Sequence, residues 1–133
     1  MKTVIAIIFA YFVNTRNKKW ISKPIQSQNK TFKKLIKSAS NTEFGQKHDF
    51  QNIYSHEQYQ KRVPVRDYEQ LKPYIEKAVA GYKDILWPGK PLYFAKTSGT
   101  TSGAKYIPIT KESIKTHIKS ARDALLNYFV KTK

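Results

Sequence analysis

Only two segments of this chain read as β-strands, LYFA at 92–95 and KYIPI at 105–109, and they flank the turn TSGTTSGA. Two short strands do not make an independently stable sheet. The chain must therefore lean on helices or lend its strands to a larger sheet. Pro108 places the second strand at an edge or at a strand end.

Helical spacing accounts for most of the rest. Phe32, Leu35, Ile36 and Ala39 recur at i, i+3, i+4 and i+7, which predicts a helix over 28–40. NTEFG at 41–45 reads as the loop that ends it. Ser55 and Gln58 form the S-x-x-Q pattern of a capping box, opening a short helix that stops before Pro64. Asp67 is an N-cap with Glu69 in the first turn, and Pro73 predicts a break into a single turn at 68–71 and a second helix. Gly81 is the natural C-cap, and WPGKP at 87–91 is a turn cluster. Thr110 opens a last helix whose apolar stripe is Ile114, His117, Ile118, Ala121, Leu125 and Tyr128. Little chain follows to cover that stripe.

The run from Val4 to Val13 is apolar but short of the roughly 20 residues needed to span a bilayer. NTRNKKW follows it with no small-x-small cleavage site, so a buried or interfacial helix is preferred over a targeting segment. The expected organisation is an N-terminal helix and basic segment at 1–24, a helical part at 25–91, and strand–loop–strand–helix at 92–133. The fold class is α/β, an incomplete piece of a larger domain.

Charge narrows the partners. Lys and Arg total 25 against 9 Asp and Glu, a net charge of +16. Such a balance suits nucleic acid, an anionic membrane surface or a phosphorylated ligand, or belongs to part of a larger, better balanced protein. No helix–turn–helix, RRM or KH signature supports the nucleic-acid alternative. A membrane-surface module needs two anchoring signals, and neither the apolar run nor the basic cluster is a clear one. The absence of cysteine removes disulfides, thiolate zinc sites and a cysteine nucleophile, and fits a cytoplasmic setting. His48 and His56 read as isolated and exposed, His117 as packed on the last helix, and none has metal-ligand spacing. Asp67, Glu69 and Glu76 read as capping and surface acids, so no general acid/base pair, catalytic residue or metal ligand is expected here.

The chemistry lies in the turn. Gly, Ser and Thr in succession can curl so that backbone N–H groups point inward as an anion-binding nest. Gly99 and Gly103 permit the backbone angles, the hydroxyls of Ser98, Thr100, Thr101 and Ser102 add donors, and Lys105 adds charge. Hydrogen bonds to a charged group are worth about 1.5–3 kcal/mol each, so several that converge can hold a nucleotide's phosphates. A ligand-free Ser/Thr/Gly hairpin is the plain alternative. The pattern is not a Walker A loop, because Ala104 separates Gly103 from Lys105 and Tyr106 follows the lysine.

TSGTTSGAK resembles the phosphate-binding signature of adenylate-forming enzymes. With VPVRDYEQLKPYIEKAVAG and DILWPGKPLYFAKTSGTTSGAKYIPIT, the match narrows to the amino-terminal region of the auxin-responsive (Gretchen Hagen) family of acyl acid–amido synthetases, bacterial type. The resemblance covers most of 27–129. It implies an enzyme that uses ATP and Mg2+ to adenylate a carboxylic acid and then passes the acyl group to an amine, usually that of an amino acid. It carries Ser98, Thr100, Thr101 and Ser102 over as contacts to the β- and γ-phosphates, and Gly99 and Gly103 as backbone determinants. The generic signature has Gly one position earlier and Pro before the Lys, which leaves the role of Lys105 open. Family members are several times longer, so the parts that bind adenine, magnesium and the acyl group are expected in a missing downstream portion. Alone, the chain is expected to be inactive.

Overall fold

The computed structural model describes residues 2–99 and 103–132. Six helices and one antiparallel pair of strands run in the order α1 (Lys2–Ile21), α2 (Pro24–Ala39), α3 (Glu43–Lys47), α4 (His56–Arg62), α5 (Tyr68–Val79), β1 (Tyr93–Gly99), β2 (Gly103–Ile109) and α6 (Lys111–Lys131), with a 3-10 turn at Phe50–Asn52. This is the α/β class expected. The chain divides into two compact units, residues 31–111 and residues 1–30 with 112–133.

The first unit is built around the end of α2. Ile36 and Ala39 are buried with Phe50 and Ile53, and Phe32, Phe44, Tyr59, Val63 and Trp87 pack against them. Leu35, assigned to the same stripe, is instead half exposed. The helix also starts earlier than its apolar spacing predicts, at Pro24, whose fixed φ and missing N–H suit the first helical position.

NTEFG is not simply a loop. Its last three residues open α3, a helix too short for any periodicity to reveal. Thr42 makes it possible: its hydroxyl accepts from the Gly45 N–H at 3.0 Å and donates to the Ala39 carbonyl at 2.7 Å. The remaining orphan donors, the N–H groups of Glu43 and Phe44, reach the carbonyls of Asp84 and Ile85 at 2.7 and 3.0 Å. Thr42 is 1% exposed, so a valine there keeps the shape and strands the Gly45 N–H, while the Ala39 carbonyl still accepts the Thr42 N–H at 3.0 Å. Thr42→Val is expected to cost about 1–2 kcal/mol in urea unfolding, with Thr42→Ser close to wild type.

The other caps follow the sequence closely. Ser55 accepts from Gln58 N–H at 3.2 Å, while the Gln58 side chain takes the N–H of Tyr54 rather than that of Ser55. Asp67 and Gln70 form a complete capping box. The predicted break at Pro73 does not occur, and α5 is continuous across it. Proline here removes only the hydrogen bond to the Glu69 carbonyl, in an exposed second turn already held by that box. At the far end Gly81, with φ of +90°, donates to the Ala78 carbonyl and Tyr82 donates to Lys77, a Schellman termination.

In the second unit, α1 buries its small residues. Ala10, Val13 and Asn17 face inward, while Ile5, Ile8, Phe9, Tyr11 and Phe12 are largely exposed. No helix among the described residues is long and apolar enough to cross a membrane. On α6 the buried residue is Asp123, and His117, Ile118, Ala121, Leu125 and Tyr128 of the expected stripe lie exposed. A charged contact chosen the inward face: Asp123 accepts from Lys119 at 2.8 Å, from Arg122 at 2.8 and 3.1 Å, and from Asn17 at 3.4 Å.

Candidate phosphate-binding hairpin

β1 and β2 extend further toward the turn than their apolar cores predict. The ladder runs from Tyr93 opposite Ile109 to Gly99 opposite Gly103. Thr97, Ser98, Gly99, Gly103 and Lys105 therefore belong to strands, and only 100–102 join them. Thr100, Thr101 and Ser102 lie outside the described residues. Backbone pairing explains the extension, because hydroxyl-bearing and glycine residues can satisfy a ladder without contributing apolar surface. Pro108 sits within β2 opposite Phe94, which a two-stranded ribbon allows since both strands are edges.

The register sorts the side chains. Thr97 lies opposite Lys105 on one face, and Lys96 lies opposite Tyr106 on the other. Gly103 has φ of +77°, which disfavours any residue with a Cβ, and nothing lies within 4 Å of where that Cβ would be. At the end away from the turn, Leu92 donates its N–H to the Ile109 carbonyl at 2.8 Å, and further along the rings of Phe94 and Tyr106 meet edge to face.

One residue that the sequence did not single out touches this ribbon from α5. Tyr68, the first residue of that helix, accepts the Tyr106 N–H on its hydroxyl at 2.8 Å. The Lys105 ammonium lies over its ring, 5.3 Å from the centroid. No local sequence signal marks such a contact.

His48 corrects the expectation of an exposed, isolated histidine: it is 6% exposed. Its Nδ1 is 2.7 Å from the Phe44 carbonyl and its Nε2 is 2.9 Å from Arg66 Nη2. A guanidinium can only donate, so Nε2 accepts and Nδ1 carries the proton toward Phe44. His48 thus stacks on Phe44 in a packed position. His117, expected to be packed, is exposed, and His56 stacks on Phe32. Lys33 and Lys37 flank a cavity of about 480 Å3 floored by Ile36, Phe50 and Ile53. It does not include the hairpin.

The described strands of the hairpin carry the Thr97 hydroxyl and the ammonium groups of Lys96 and Lys105, and the sequence adds hydroxyls at 98 and 100–102, donors of the kind that phosphate oxygens accept from. Magnesium takes hard oxygen ligands, chiefly carboxylates, phosphates and water. Among the described residues no three acidic or histidine side chains gather to hold a metal.

Helices that lead into an antiparallel strand pair flanking a Ser/Thr/Gly-rich segment make an α/β arrangement. Residues 15–133 match the GH3 family N-terminal domain, and the chain belongs to that family. It is 37% identical over 76 residues to the "Probable indole-3-acetic acid-amido synthetase GH3.13" of Oryza sativa subsp. japonica, an overlap of 54% of this chain and 16% of the relative. It is 29% identical over 93 residues to the "Indole-3-acetic acid-amido synthetase GH3.2" of Arabidopsis thaliana, covering 68% of this chain and 17% of the relative. The chain therefore spans less than a fifth of these curated relatives.

Proposed function

We propose that this chain supplies the polyphosphate grip of an ATP-dependent acyl acid–amido synthetase. Membership of the GH3 family and the names of its relatives support the ligase class. The observation that carries the finer reading is the hairpin itself. Its register brings Gly99 against Gly103 and Thr97 against Lys105 at the base of a turn rich in hydroxyls.

In this reading Ser98, Thr100, Thr101 and Ser102 hold the β- and γ-phosphates of ATP, with the backbone at Gly99 and Gly103 allowing close approach. A substrate carboxylate oxygen then attacks the α-phosphorus, and pyrophosphate leaves. An amine, that of an amino acid by family resemblance, attacks the acyl carbonyl, and AMP leaves as the amide forms. The hairpin contributes by fixing the departing pyrophosphate, whose charge increases in the transition state. Magnesium brought with the nucleotide would supply positive charge to the phosphates, and in this reading the acyl and amine pockets belong to the rest of the synthetase.

The test is carboxylate-dependent exchange of labelled pyrophosphate into ATP by the complete synthetase. Thr100→Ala or Ser98→Ala is expected to raise the ATP concentration for half-maximal exchange about tenfold, with the melting temperature unchanged. Unaltered ATP dependence in both variants would remove the loop assignment.

A further inference from the structure

We propose that Tyr68 is a positioning residue for the phosphate hairpin, holding β2 and the Lys105 ammonium in place together; the inference rests on the polyphosphate reading above. Two adjacent residues of β2 meet the same side chain: the Tyr106 N–H donates to Oη at 2.8 Å, and Lys105 Nζ lies 5.3 Å from the ring centroid. The first contact occupies an N–H on the outer edge of a ribbon that, among the described residues, has two strands. The second is a cation held over an aromatic face.

Tyr68 is itself firmly seated. It follows Asp67, whose carboxylate accepts the Gln70 N–H at 2.9 Å while the Gln70 side chain accepts the Asp67 N–H at 3.1 Å. The helix start is thus fixed by reciprocal bonds, which hold the backbone that carries the Tyr68 ring. A free lysine samples many rotamers, and ordering it on a ligand weakens binding. With its ammonium already held over the ring, Lys105 has fewer to lose. Residue 105 stands two positions along β2 from Gly103, about 7 Å, so it lies near the end of β2 that adjoins the Ser/Thr/Gly segment.

The hydroxyl and the ring are separable. Tyr68→Phe keeps the ring and frees the Tyr106 N–H, whereas Tyr68→Leu removes both. Inorganic tripolyphosphate is titrated calorimetrically onto the 133-residue chain and onto the variants Tyr68→Phe, Tyr68→Leu, Lys105→Ala and the double variant Tyr68→Leu/Lys105→Ala. Circular dichroism verifies that each is folded. Tyr68→Leu is expected to weaken binding about fivefold and Tyr68→Phe about twofold. In the Lys105→Ala background, Tyr68→Leu should cost no more than the twofold of the lost hydroxyl, because the ring then has no ammonium to hold. Amide exchange at Tyr106 should quicken several-fold in Tyr68→Phe, a change that reports the hydrogen bond directly.

Wild-type affinity in Tyr68→Leu alongside weakened binding in Lys105→Ala would overturn the role of Tyr68 and leave the hairpin reading standing. Equal fivefold losses with and without Lys105 would show an effect that does not pass through the lysine, and would also overturn it. Absence of any tripolyphosphate binding by the unaltered chain would overturn the polyphosphate reading, and this proposal with it.

Discussion

Gly45→Ala is expected to lower the unfolding free energy by about 3 kcal/mol and the melting temperature by about 10 °C. A Cβ at position 45 would sit 2.0 Å from the Ala39 carbonyl oxygen, 2.9 Å from its carbon and 3.1 Å from Ser40 Cα. All three are backbone atoms at the end of α2, so no rotamer change relieves the clash. Retreat of α3 is blocked as well. Its N–H groups are tied to Asp84 and Ile85 by backbone hydrogen bonds, and Thr42 ties it to Ala39. Either the bonds break or α2 shifts against Phe50 and Ile53, and both routes disturb the main core. Urea unfolding followed by tryptophan fluorescence measures the change. A loss under about 1 kcal/mol would mean that α3 does not approach α2 this closely.

Replacing Asp123 is expected to have the next largest effect, one that depends on pH. Hydrogen bonds from Lys119 first and Arg122 second, with Asn17 adding a third donor, lower the Asp123 carboxyl from its ordinary 3.8 to about 2, against the opposing effect of burial. A pKa depressed in the folded state stabilises the protein above the unfolded value, and that stability is lost as pH falls through the folded value. The contribution is therefore complete above about pH 5 and fades between about pH 4 and 2. The cationic partners are roughly half exposed, so screening by water reduces what the shift alone would suggest. Asp123→Asn is expected to cost about 1–2 kcal/mol at pH 7, and the gap to wild type should close on titration to pH 2. Chemical unfolding at a series of pH values reads this directly. A gap that persists unchanged at pH 2 would assign the loss to packing and not to charge.

Much of the local structure was legible beforehand because its causes lie within a few residues. The Asp67 cap, the Ser55 cap, the Schellman glycine at 81 and the two strands that flank the Ser/Thr/Gly segment each depend on bonds between near neighbours. Where local rules misled, a neighbour in sequence competed with something stronger. Pro73 suggested a break, but the capping box already held the turn it would have broken. The α6 stripe suggested an apolar contact, but a carboxylate with several donors took the buried position. His48 looked isolated because Arg66, its partner, lies 18 residues away.

The amino-acid sequence by itself determined the family, the helix caps and the place of the hairpin. Each rests on motifs and on hydrogen bonds spanning a turn or so of chain. The tertiary structure alone decided that α3 exists, that Asn17 meets Asp123 across 106 residues, and that Tyr68 reaches Tyr106 across 38. Such contacts have no local signature, because they depend on where the backbone has carried two distant segments once the apolar faces between them are buried.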